Sequence, residues 1–194
     1  MRLRFGHLPG GAGALLAGTV AASLSMPPLR SLIEQSMGWH MAIQMPLLLL
    51  SGWLAMGRIG QRSSMAWWSA FNRYGMTGFI AALIVLAYWM LPLAIDRAVV
   101  LPTTDVLKLV SLWTTGAVLR HSFERAPAVL QLFFVGTAIP MAIWLGFYFA
   151  STDLRLCNAY SLQSQIQAGY AVVALAAAIG CGWLVKQMSG EGFR

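Results

Sequence analysis

The sequence predicts an all-α protein, a polytopic bundle of transmembrane helices, and three observations carry that expectation. The chain is 58% hydrophobic, with a mean hydropathy of +0.68. Only 10% of its 194 residues are charged, against about 25% in an ordinary soluble domain, so a water-facing surface would lack more than half its usual ions. The apolar residues also gather into runs close to the roughly 20 residues that a helix needs to cross a hydrocarbon core. Lipid can surround such a bundle because each helix satisfies its own backbone hydrogen bonds. The same composition excludes a disordered chain, a disulfide scaffold and a nucleic-acid module.

The first candidate helix, residues 9–27, follows a basic stretch holding Arg2 and Arg4. Its short apolar run and the Val20-Ala21-Ala22 step fit a cleavable signal peptide. Gly10, Ala14, Gly18 and Ala22 recur every four residues and fit instead a seam for close helix packing. The expectation is therefore six helices, or five if the first is removed. Further spans follow at 37–57, 76–96, 128–150 and 167–186, with a shorter one at 105–119 that contains Lys108. Residues 58–75 mix Met65, Trp67, Trp68, Phe71 and Tyr74 with three arginines, the composition of a segment lying along a membrane interface. In the last helix Ala174, Ala178 and Gly182 repeat the spacing of a packing seam. The whole chain reads as a single integral membrane domain.

Charge orients the bundle. Thirteen Lys and Arg against six Asp and Glu give a net charge of +7. With the N-terminus inside, Arg2, Arg4, Arg58, Arg62, Arg73, Arg120, Arg125, Lys186 and Arg194 fall on the inner side, and Arg30, Arg97 and Arg155 on the outer. That asymmetry predicts six helices with both termini cytoplasmic. Cys157 is expected in an outer loop and Cys181 inside a helix, too far apart for a disulfide.

The most informative stretch is Met37-Gly38-Trp39-His40-Met41-Ala42-Ile43-Gln44-Met45-Pro46. Met37, His40, Met41, Gln44 and Met45 fall at i, i+3, i+4, i+7 and i+8 and share one helix face. Thioether sulfur is a soft donor suited to Cu(I), imidazole binds copper in either oxidation state, and the Cys-rich spacing of zinc sites is missing. Plain packing also fits, because Met fills gaps in apolar cores and a lone His can bond a backbone carbonyl. Pro46 is expected to kink the helix and free a carbonyl near Ala42, for which Gln44 or a polar neighbour is a partner.

Other polar groups lie toward the same side. Cys157 is a further soft candidate. Asp96 is expected to end one helix, and Asp105 and Lys108 to open the next as an i, i+3 pair. Lys108, Ser111 and Thr115 then continue as a polar stripe, read either as an ion path or as a snorkelling lysine beside a boundary carboxylate. Gln163, Gln167 and Tyr170 share a face suited to interhelical hydrogen bonds, with Gln165 off it. His121, with Arg120, Glu124 and Arg125, reads as a solvated inner loop. No phosphate loop, His-Glu-x-x-His motif or nucleophile elbow occurs, so no enzyme is expected. Of His7, His40 and His121 only one falls in a span, so two-histidine haem ligation is not expected.

Three stretches resemble the CtaG-type cytochrome c oxidase assembly proteins. His40-Met41-x-x-Gln44-Met45-Pro46-Leu47-Leu48 is similar to the family's His-Met-x-x-His helix with its Pro-Leu-Leu run. Pro92-x-x-x-Asp96-x-Ala98-x-x-x-Pro102 is similar to the region where an outer loop joins two helices, and Gln163-x-Gln165-x-x-Ala168-Gly169 to a segment opening a late helix. The resemblance spans residues 37–182. It departs at Gln44, which stands where the family has its second His, and in residues 105–115, where Lys108 lies near the place of a further His. The resemblance implies a role beside a respiratory oxidase in a bacterial inner membrane. Taken with the Met/His face, the expectation is an assembly factor for a haem-copper oxidase that presents Cu(I) at the outer face. Met37, His40 and Met41 would be the donors, Gln44, Met45 or Cys157 auxiliary ligands, and Asp96 a docking point for an incoming copper carrier. Its partners would be oxidase or other respiratory-complex subunits and the lipid bilayer, with no nucleic acid. The competing expectation is a stable, non-catalytic accessory subunit of a respiratory complex.

Overall fold

The computed structural model describes residues 36–62 and 70–189, with isolated positions at Thr19, Val20, Ser23 and Met26; for residues 57–62 it describes the backbone alone. The expected first helix with its seam, and most of the expected interfacial segment, lie outside the described residues. Within them the chain is built from helices and turns. Helix α1 is continuous through Met37–Trp39, a π-helical turn His40–Gln44 and Met45–Arg62. It is followed by α2 (Met76–Trp89), α3 (Pro92–Val100), α4 (Pro102–Phe123), α5 (Ala128–Ser151) and α6 (Leu162–Met188).

Helices α5 and α6 are long and apolar enough to cross a membrane, and α2 with α3 meet the same standard as a bent pair. Side chains are distributed as a lipid-facing surface requires. Trp144 on α5 is 76% exposed and Val129 74%, while His40, Gln44, Asn72 and Lys108 are buried. In water such an apolar exterior would be costly; in hydrocarbon it is the ordinary outer face of a bundle.

The expected span 76–96 is not one helix. The chain bends by 72° between Trp89 and Pro92. Pro92 opens α3 at a position where its missing N–H costs nothing, and it holds Leu91 in extended backbone (φ −73°, ψ 129°). Asp96 therefore sits in the middle of α3 and not at a helix end. The expected helix 105–119 extends to Pro102–Phe123, because Pro102 starts it and Glu124 continues its last turn. The last helix opens at Leu162 because the Ser161 hydroxyl accepts the Ser164 N–H as an N-cap.

Close approaches between glycines set the helix crossings. A methyl group at Gly52 of α1 would overlap the Trp113 carbonyl of α4, and one at Gly116 of α4 would overlap the Leu49 carbonyl of α1. Gly146 of α5 and Gly169 of α6 form a second reciprocal notch. The expected seam at Ala174, Ala178 and Gly182 instead faces outward. Buried Ala168, Gly169, Val172 and Ala176 carry the packing of α6.

Candidate functional site

The N-terminal part of α1 turns its soft and polar side chains inward. Pro46 cannot donate a backbone hydrogen bond, and the turn before it is widened, with the Met45 N–H reaching back to the His40 carbonyl. Single π turns of this kind often mark functional positions. Met37, His40, Met41, Gln44 and Met45 are all buried. The Met37 N–H donates to Ser164 Oγ at 2.8 Å, which fixes the start of α1 against the start of α6.

Helix α4 supplies the opposing face. Lys108 Nζ and Asp105 Oδ1 lie 2.8 Å apart, with Lys108 wholly buried. Ser111 accepts the Trp89 indole N–H at 2.8 Å and donates to the Lys108 carbonyl at 3.1 Å. Trp53 of α1 meets Phe123 at the end of α4, with ring centroids 5.5 Å apart. Together with the notch between Gly52 and Gly116, this contact requires α1 and α4 to run in the same direction, position 52 level with position 116. Carried back two turns at about 1.5 Å per residue, the register sets Gln44 level with Lys108 and Met41 level with Asp105. The two helices thus place one polar layer near the Met37 end of the bundle.

A structured loop, residues 152–161, covers that end. Tyr160 is buried with its ring centroid 6.4 Å from that of His40. The Asp96 carboxylate accepts the backbone N–H groups of Asn158 (2.8 Å) and Ala159 (3.1 Å). The Cys157 thiol donates to the Pro92 carbonyl at 3.8 Å. Arg155 braces the loop from within, donating to the Tyr160 and Asn158 carbonyls. Gln165 ties it to its flanks: its Oε1 accepts the Leu156 N–H at 2.8 Å, and its Nε2 donates to the Leu154 and Phe149 carbonyls.

The expected polar face of α6 is accordingly displaced. Gln163, Gln167 and Tyr170 are exposed, and Gln165, expected to lie off that face, points inward because the helix starts earlier and packs through Gly169. Lys108 does not snorkel: Asp105 satisfies it within the bundle. Asp96 is engaged by the loop backbone rather than left open to a carrier. His121 is not in a solvated loop. It is buried near the Phe123 end, where Asn72 Nδ2 lies 2.9 Å from both His121 Nδ1 and Ser122 Oγ, and Asn72 Oδ1 accepts the Gly78 N–H. Asn72 is the residue that sequence reasoning missed; its position just before the turn at Gly75 was the available signal. Arg73 lies over the exposed Tyr74 ring at 5.6 Å, in keeping with the interfacial character expected for this part of 58–75.

The donors differ in what they offer a metal. Among the described residues no three His, Cys, Asp or Glu side chains form a group that could hold an ion. What α1 presents is three thioethers and one imidazole, a set that suits a soft monovalent ion such as Cu(I) rather than zinc. Met37 and Met45 are separated by about 12 Å along the helix, so one ion takes a single turn of donors, Met37–His40–Met41 or the turn after it. Cys157 shares the buried cluster with Met37, Met41 and Met45. Burial, with the Asp96 charge adding to it, pushes its thiol up to about 12, so at neutral pH it is a thiol and not a thiolate. Cys157 and Cys181 are both free.

No family model, curated protein or solved structure matches the chain. The likeness to the CtaG-type proteins rests on the three motifs alone.

Proposed function

We propose that the chain is a membrane-embedded assembly factor for a haem-copper oxidase, holding Cu(I) near the outer face of a bacterial inner membrane. In this reading the bundle crosses the membrane with both termini cytoplasmic, the first helix included, and the Met37 end faces outward. The observation that carries it is the inward turn of Met37, His40, Met41 and Met45 into one buried layer. Met37, His40 and Met41 would hold the ion, with Gln44 and Met45 on the next turn. Bound there, Cu(I) is available for transfer to an oxidase subunit. Burial excludes water and oxidant from the thioethers, Gln44 and the Asp105–Lys108 pair keep the layer polar, and Tyr160 closes it above His40.

A second reading, a stable accessory subunit of a respiratory complex, is favoured by an apolar groove of about 470 Å³ between α2 and α5. Met90, Pro140, Met141 and Trp144 help to line it, an apolar surface that a partner helix could cover. Deleting the gene and complementing it with wild-type or His40→Ala chain separates the two. An assembly factor leaves the oxidase poor in copper in the deletion and the variant, without co-purifying with the mature enzyme. A subunit co-purifies stoichiometrically in mild detergent, and His40→Ala leaves copper content unchanged.

A further inference from the structure

We infer that the loop of residues 152–161 is the gate through which a soft cation reaches the Met37–His40–Met41 layer, and that Asp96 is its latch. The identity of the cation rests on the metal reading above; the latch does not. The thioethers of Met37, Met41 and Met45 and the His40 imidazole are buried, so an ion must pass something that moves. Around the sides stand helices whose exteriors are apolar, a poor route for a charge. At the Met37 end stands the loop, with Tyr160 beside His40.

The loop is folded as a unit. Arg155 binds two of its carbonyls and so keeps it folded on itself. Gln165 holds its flank to the start of α6. Its ties to α3 include the long Cys157 thiol contact and the two charge-assisted bonds from Asn158 and Ala159 to Asp96. Hydrogen bonds to an ionised carboxylate are about twice as strong as neutral ones, so Asp96 is the strongest polar hold on that side, beside the burial of Cys157 and Tyr160. Asp96 is only partly buried, which leaves the latch within reach of water while the donors beneath it are closed off. Releasing it lets the loop swing on the Gln165 side, carrying Tyr160 and Cys157 away from the donors.

The test uses the full chain in nanodiscs, as wild type, Asp96→Ala and the milder Asp96→Asn, with Ag(I) as a redox-inert probe. Hydrogen exchange reports the loop. The latch predicts about tenfold faster exchange at residues 157–160 in Asp96→Ala, so at Cys157 and Tyr160 as well as at the Asn158 and Ala159 N–H groups that lose their acceptor. Leu156, whose N–H is held by Gln165 at the hinge, keeps its protection. Asp96→Asn should be intermediate and α6 should stay protected, which separates opening from unfolding. Stopped-flow tryptophan fluorescence reports the ion: Ag(I) should associate and dissociate about tenfold faster in Asp96→Ala, at nearly constant affinity. Unchanged exchange in the loop overturns the latch. Faster exchange with an unchanged association rate overturns the gate. If none of the three proteins binds Ag(I), the metal reading fails and the gate with it, while the exchange data still decide whether Asp96 holds the loop.

Discussion

Lys108 and Asp105 hold each other at 2.8 Å inside the bundle, one helical turn apart on α4, with no part of the lysine side chain exposed. Two charges in a low-dielectric interior are tolerable only as a pair, and removing one partner leaves the other uncompensated. Asp105→Asn should therefore destabilise the protein by about 3–5 kcal/mol. The double change Asp105→Leu with Lys108→Met should recover most of that loss, since both ions are then gone. Thermal unfolding of the purified proteins in detergent checks the order: single variant least stable, double variant near wild type.

The glycine notch between α1 and α4 makes a second prediction. Gly116→Ala and Gly52→Ala each thrust a methyl group into a backbone carbonyl of the facing helix, which is not a flexible side chain that can give way. Each should cost about 1–3 kcal/mol. Nothing lies near a Cβ at Gly136 or Gly182. Alanine there should be neutral or stabilise by up to about 1 kcal/mol, through helix propensity alone. The same unfolding assay compares all four.

Gln165 and Gln167, two residues apart, should behave oppositely. Gln165→Leu removes the acceptor for Leu156 and the donor to Leu154 and Phe149, stranding buried backbone groups at a cost of about 1–3 kcal/mol each. Gln167→Leu alters an exposed site and should leave stability unchanged. Hydrogen exchange at residues 154–156 should rise in the first variant only.

Cys157 gives a prediction in pH. Its thiol is raised from 9.0 to about 12 by burial, with Asp96 adding to it. At pH 8 the thiolate fraction is lower than that of a free thiol by about 1,000-fold, and alkylation in a Cys181→Ser background should be slowed at least that much. Because the folded-state value lies above the unfolded one, the stability carried by the neutral thiol is complete below pH 9. It is lost as pH climbs from 9 toward 12. Cys157→Ser should flatten that alkaline decline.

How much of this was legible in the sequence differs by element. Helices α5 and α6 were visible as apolar runs, and the shared face of Met37, His40, Met41, Gln44 and Met45 followed from spacing alone. The bend at Met90–Leu91 was hidden because the residues on both sides are apolar; Pro92 was its one local signal. The roles of Gln165, Ala174 and Ala178 depended on which side of α6 meets α5, a choice made by Gly146 and Gly169 from different helices. His121 looked solvated because its neighbours Arg120, Glu124 and Arg125 are charged. Its partner Asn72 is 49 residues away, beyond the reach of any local pattern.

The central claim is that the buried layer of α1 holds a soft monovalent ion through Met37, His40 and Met41. Competition of purified protein against a chromophoric Cu(I) chelator under reducing conditions tests it most directly, with His40→Ala and the Met37→Leu, Met41→Leu double variant alongside. The account predicts one Cu(I) per wild-type chain and a loss of affinity of at least tenfold in each variant, with helix content unchanged. Equal, weak binding by all three proteins would contradict it.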